Sequence, residues 1–218
     1  MSRRRDDLRR RGWITEPRLR VLICCEGRVT EPSYINGLKS ALRIRLVHIE
    51  VGPAGSNPKT LVDHAVEKKQ QAERDARREK DDNLRYDEVW CVFDVDVHEH
   101  IPEAKQKAGA NRINLAISNP CFELWLLLHF QDQRAHIERH QAQSACREHM
   151  PEYDREVPFE LVFPHYRLAV ERAVELDHWQ ETRGCAGENP STGVHLLTEQ
   201  IMKLSREEQL KKHRLSGR

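Results

Sequence analysis

The segment Leu19-Arg20-Val21-Leu22-Ile23-Cys24-Cys25-Glu26-Gly27 decides how the whole chain reads. A short apolar run closed by an acid and a glycine has the pattern of a strand buried on both faces. Such strands belong to parallel sheets, whose connections are helices packed against the sheet. The next residues supply one. Thr30-Glu31-Pro32 predicts a helix start, with Thr as N-cap and Pro in the first turn, where its missing N–H costs nothing. That helix is expected to reach about Leu42.

Further along, Arg45 to Val51 reads as a second strand and Gly52-Pro53-Ala54-Gly55-Ser56 as a loop. Asn57-Pro58 opens a long helix with Val62, Ala65, Val66, Lys69, Ala72 and Ala76 at helical spacing. Only its first half has an apolar face, so the charged stretch from Glu67 to Asp82 is expected to project into solvent. Glu88-Val89-Trp90-Cys91-Val92-Phe93 is a third strand, running into Asp94-Val95-Asp96. A short helix fits Ile101 to Ala108, and Ile113 to Ile117 is a fourth strand. Asn119-Pro120 is read as opening an apolar helix, Cys121 to Phe130. Helices near Ala135–His149 and Arg167–Gln180 follow, and Asn189-Pro190 is read as opening a last helix from Ser191 to about Leu204.

The expected fold is α/β, with a core of about four mostly parallel strands, crossover helices and a helical C-terminal portion. Residues 20–205 form one domain, with the α/β core over 20–130 and the helical portion over 131–205. A basic arm (1–19) precedes it and a basic tail (206–218) follows.

Composition narrows the function. One third of the 218 residues are charged, above the roughly 25% of an average domain. The +1 net charge is a cancellation. Eight arginines in the first 20 residues face Asp6, Asp7 and Glu16, and the tail is also basic, so the centre is acidic. An acidic centre suits a cation site, and basic ends suit a phosphate backbone. Apolar runs as short as Leu124–Leu128 span no membrane. Met1-Ser2-Arg3-Arg4-Arg5 leads into charge, so no secretory signal is expected. Six cysteines without C-x-x-C spacing read as reduced core residues of a cytoplasmic protein. The absence of a G-x-x-x-x-G-K-S/T pattern excludes a P-loop.

Ligands of open parallel sheets bind beyond the carboxyl ends of the strands. Strand one ends at Glu26-Gly27 and strand three at Asp94 and Asp96, which as i and i+2 point the same way. If the two strands are close, three carboxylates converge, and their repulsion calls for a cation. Mg²⁺ or Mn²⁺, taking oxygen ligands and keeping waters, answers that need. Two such ions ~4 Å apart can drive phosphodiester hydrolysis, and Gly27 would admit a phosphate. An acid at a strand end also serves as a helix cap or a solvated group.

Glu123 is the only formal charge between Cys121 and Phe130. Buried, it needs a partner. It is a candidate metal ligand, a base that orients the attacking water, or a local structural acid at a helix start. Lys59 is a candidate phosphate contact at a helix N-terminus. Asn119 and Asn189 read as helix caps or substrate contacts, and His195 as a site-facing residue. His98 and His100 are weaker candidates as proton shuttles or ligands.

Four ordered blocks carry a family resemblance. Cys25-Glu26-Gly27-Arg28-Val29-Thr30-Glu31-Pro32-Ser33-Tyr34 resembles the opening block of the RloB-like proteins, and Val89 to Asp96 resembles their second. Ser118-Asn119-Pro120-Cys121-Phe122-Glu123-Leu124-Trp125 with His129-Phe130 is similar to the third, and Asn189-Pro190-Ser191-Thr192-Gly193-Val194-His195 to the fourth. The resemblance implies a Toprim-like fold, shared with topoisomerases, primases and nucleases of the overcoming-lysogenization-defect type. In it Glu26, Asp94 and Asp96 match metal-binding positions, although Val95 and Val97 depart from the more polar residues of the family pattern. It also implies a role in bacterial anti-phage defence (abortive infection), as a nuclease or toxin component working with an ABC/AAA-type ATPase encoded nearby; as a nuclease it would take DNA or RNA as substrate. The competing expectation is a non-catalytic partner that binds the ATPase or nucleic acid on the same scaffold.

Overall fold

The computed structural model describes residues 20–45, 47–53, 57–95 and 100–216. The arm 1–19, Asp96 and His98 lie outside the described residues. In chain order the elements are β1 (Val21–Cys25), α1 (Thr30–Leu42), β2 (Val47–Val51), α2 (Pro58–Glu79), β3 (Glu88–Asp94), α3 (Ile101–Asn111) and β4 (Asn114–Asn119). Then come α4 (Glu123–Leu128), α5 (Arg139–His149), α6 (Phe159–Val162), α7 (Tyr166–Thr182), β5 (Ser191–Thr192) and α8 (Val194–Ser216).

The strands form one sheet in the order β2-β1-β3-β4-β5. The first four are parallel, and β5 runs antiparallel to β4. This is the expected α/β architecture, with one more strand, and it is consistent with a Toprim-like core. β1 is buried along its whole length because its side chains alternate between two cores. Val21, Ile23 and Cys25 join the larger core with α1 and the C-terminal helices, while Leu22 and Cys24 join the smaller one under α2 and α3. The larger core centres on Tyr34, whose ring meets Phe122, Trp125, His129 and Phe159 edge-on at centroid distances of 5.5–6.1 Å.

Asn57 caps α2 as read, accepting the Thr60 N–H at 2.9 Å. The other two Asn-Pro pairs are different. Both peptides are cis, and neither asparagine caps a helix. Asn119 is the last residue of β4, and its side-chain amide donates to the Gly187 carbonyl at 3.1 Å. Asn189 grips the backbone of Ile137, accepting its N–H at 3.0 Å and donating to its carbonyl at 2.9 Å. Consequently α4 starts only at Glu123 and is shorter than the expected Cys121–Phe130.

Ser191-Thr192, read as a helix start, instead extends the sheet. Its ladder pairs Ser118 with Thr192, and their hydroxyls meet at 3.0 Å. A two-residue strand has too little pattern to register as period two, yet it partners the edge of β4. The last helix then begins at Val194 and runs beyond Leu204 to Ser216. At α1, Val29 rather than Thr30 occupies the cap position, with no side-chain bond. The second half of α2 does not simply project. Lys69 donates to the Asn111 carbonyl at the end of α3 at 2.8 Å, and Ala76 is buried.

Trp125 is fully buried in the larger core. Trp125→Ala is expected to cost about 3–5 kcal/mol in urea denaturation, whereas Lys59→Ala, at a solvated site, should stay within about 0.5 kcal/mol of wild type.

Candidate functional site

Because β1 and β3 are adjacent and parallel, their carboxyl ends meet. The Glu26 N–H bonds the Val92 carbonyl at 3.0 Å. The Asp94 N–H in turn donates to Glu26 Oε2 at 3.3 Å. On β3, Asp94 shares the face of Trp90 and Val92, so it looks toward the larger core and its helices.

Three of those helices bring further charge. Glu31, in the first turn of α1, is 5% exposed and accepts the Gly27 N–H at 3.1 Å. A Cβ on residue 27 would overlap the Glu31 carboxylate, so Gly27 leaves the room this approach uses. Glu123, first in α4, is 6% exposed. Its Oε1 accepts from the Tyr153 hydroxyl at 2.9 Å and from Gln143 Nε2 at 3.2 Å. Arg139, first in α5, donates from its guanidinium to Asp94 Oδ2 at 2.8 Å.

The electrostatics follow from this crowding. Burial pushes the Asp94 carboxyl well above the usual carboxylate range. Glu31, Glu123 and Glu26 push it the same way, and Arg139 only partly opposes them. Burial likewise raises Glu31, against the Gly27 N–H that favours its charged form, and Glu123 and Glu26 add to the rise. The neighbouring Cys121 thiol is raised by burial, then by Glu123 and Asp94. Glu26, Glu31, Asp94 and Glu123 therefore lie within one another's field.

Among the described residues, no three His, Cys, Asp or Glu side chains are arranged as a ready metal-ligand set. Mg²⁺ commonly binds through only one or two carboxylates, completing its shell with water and phosphate. The all-oxygen donors of Glu26 and Asp94, with Glu31 and Glu123 close enough to act on them, fit that chemistry.

The structure thus brings together Glu26, Gly27, Asp94 and Glu123 of the expected site; Asp96 is not described. The weaker candidates engage other groups. Lys59, about half exposed, pairs with Asp63 one turn along α2. His195 is buried, with Nδ1 3.0 Å from the Thr192 carbonyl and Nε2 3.4 Å from Asp177. Asn119 and Asn189 hold loops, as described above. His129 belongs to the core: its Nδ1–H donates to the Trp125 carbonyl, its Nε2 accepts from Tyr34, and burial lowers its pKa to about 4.

Sequence reasoning missed Glu31, Arg139, Gln143 and Tyr153. Glu31 carried a signal, an acid in the first turn after a Glu-Gly strand end, but read as part of a helix start. Arg139 carried none, since one arginine among many is marked only by its partner.

A family model described as RloB-like protein matches residues 21–201, from β1 into α8. The chain belongs to the RloB-like family. No curated protein and no solved structure matches it. Among the described residues, no helix is long and apolar enough to cross a membrane.

Asp94 and Glu31 bind protons more tightly folded than unfolded, so their contribution to stability falls as pH rises through the folded values. With a chelator present, Asp94→Asn should melt above wild type at pH 8, by about 2–4 °C for each ~1 kcal/mol relieved. The gap should close as pH falls toward the ordinary carboxylate range. A variant that melts lower at pH 8 would contradict this electrostatic assignment.

Proposed function

We propose that this RloB-like protein is a divalent-metal-dependent nuclease that works with a partner ATPase in bacterial anti-phage defence. The observation that carries the reading is the pairing of Glu26 and Asp94 at the carboxyl rim of adjacent parallel strands, with Glu31 and Glu123 behind them. Glu26 and Asp94 hold Mg²⁺ or Mn²⁺; Asp96, the third expected ligand, lies outside the described residues. When bound, the metal polarises a phosphoryl oxygen and lowers the pKa of water. Glu123, steadied by Tyr153 and Gln143, orients the attacking water toward the phosphorus. Glu31 fixes the Gly27 turn against which a phosphate lies. The defence context and the ATPase partner are what the resemblance set out in the sequence implies, and the basic ends of the chain suit a DNA or RNA substrate.

A second reading, a non-catalytic partner of an ATPase or nucleic acid, is favoured by one observation. Asp94 already has a cation, Arg139, at 2.8 Å.

Cleavage assays separate the two. With Mn²⁺, and with a neighbouring ATPase supplied, the protein is expected to cut plasmid DNA or RNA. Glu26→Gln and Asp94→Asn should each lower the rate by about 100-fold or more while the melting transition stays cooperative. Variants as active as wild type would end the assignment, and a wild type that cuts neither substrate would favour the second reading.

A further inference from the structure

We propose that Arg139 is a displaceable counter-ion: it holds Asp94 Oδ2 in the metal-free protein and surrenders that oxygen to the divalent cation. The inference rests on the metal-centre reading above and gives that site its regulation.

The pair is built asymmetrically. The Asp94 side chain is 14% exposed, that of Arg139 41%. The carboxylate is fixed in the rim, while the arginine side chain is partly exposed, with its Nε atom buried. Of the two partners Arg139 is therefore the one that can turn further toward water, whereas leaving the more buried carboxylate without any cation is expensive. A Mg²⁺ ion sits about 2.0–2.1 Å from a ligating oxygen. A guanidinium donating to the same oxygen at 2.8 Å would then face a double positive charge at close range. The two cations compete.

The backbone around Arg139 is anchored, so the exchange is a side-chain rotation. Glu138 and Gln141 form a reciprocal capping box at the start of α5. Just before it, Asn189 holds both backbone groups of Ile137. The helix stays in place, and the long, flexible arginine side chain moves. Metal affinity is accordingly set partly by Arg139: the cation must outbid a preformed ion pair, which keeps the site closed at low divalent concentration.

Calorimetric Mn²⁺ titration of wild type and Arg139→Gln tests this. The variant is expected to bind Mn²⁺ about 10-fold more tightly, because its Asp94 has no competitor. Without metal it should melt below wild type, and saturating Mn²⁺ should close the gap. Arg139→Lys, retaining a cation, should bind within a few-fold of wild type. If wild type binds Mn²⁺ and Arg139→Gln binds it no more tightly, the counter-ion role is overturned and the metal centre stands. If neither binds Mn²⁺, the metal centre and this inference fall together. Should Arg139→Gln fail to fold, the wild type alone decides. The Arg139 Nε–H resonance is expected to shift on adding Mg²⁺, and a resonance unmoved at saturation would overturn the proposal.

Discussion

The hydrogen bond from the Asp94 backbone N–H to Glu26 Oε2 ties the acid at the end of β1 to the main chain at the end of the neighbouring strand β3. It costs nothing in local geometry, because the parallel pairing of β1 and β3 places Cys25 opposite Val92 and so delivers the next residues to the same rim. Its cost is electrostatic. Glu31 and Glu123 are brought within reach of the same carboxylates, and burial removes the water that would screen them. Natural sequences carry such conflicts where function requires them.

Much of the surrounding architecture serves to contain that charge. Gly27 lacks a side chain where Glu31 needs room. Tyr153 and Gln143 cross from the C-terminal helical region to hold Glu123. Arg139 brings a guanidinium from the first residue of α5. That helix start is anchored through Ile137 to Asn189, in the loop before β5, and β5 is in turn fixed to β4 beside Asp94. The C-terminal elements thus form the far wall of the site as well as covering one face of the sheet. The RloB-like match likewise covers these elements, extending past the α/β core to residue 201.

The parts of this arrangement legible in the sequence are those with a local signature. The buried strands Val21–Cys25 and Glu88–Asp94 announced themselves as short apolar runs ending in acid, and parallel pairing followed from the intervening helices. Glu26, Asp94 and Glu123 stood out because acids at the edges of apolar runs are chemically conspicuous. Features that depend on distant partners were not legible. Ser191-Thr192 becomes a strand only because β4 offers an edge. Asn119 and Asn189 have the local pattern of Asn57, but they spend their amides on Gly187 and Ile137 instead of on a helix terminus. Arg139 is unremarkable until Asp94 lies beside it. Lys69 illustrates the same limit: the charge of α2 suggested a solvated projection, and the contact with the end of α3 is a tertiary event.

The site as a whole rests on the rim of β1 and β3 being, as proposed, a cation site. Anomalous diffraction from crystals soaked in Mn²⁺ tests it most directly. A strong anomalous peak is expected within coordination distance of Glu26 and Asp94, with the Arg139 guanidinium turned away from Asp94 Oδ2. A fully soaked crystal with no peak at this rim, and Arg139 still on Asp94, would contradict it.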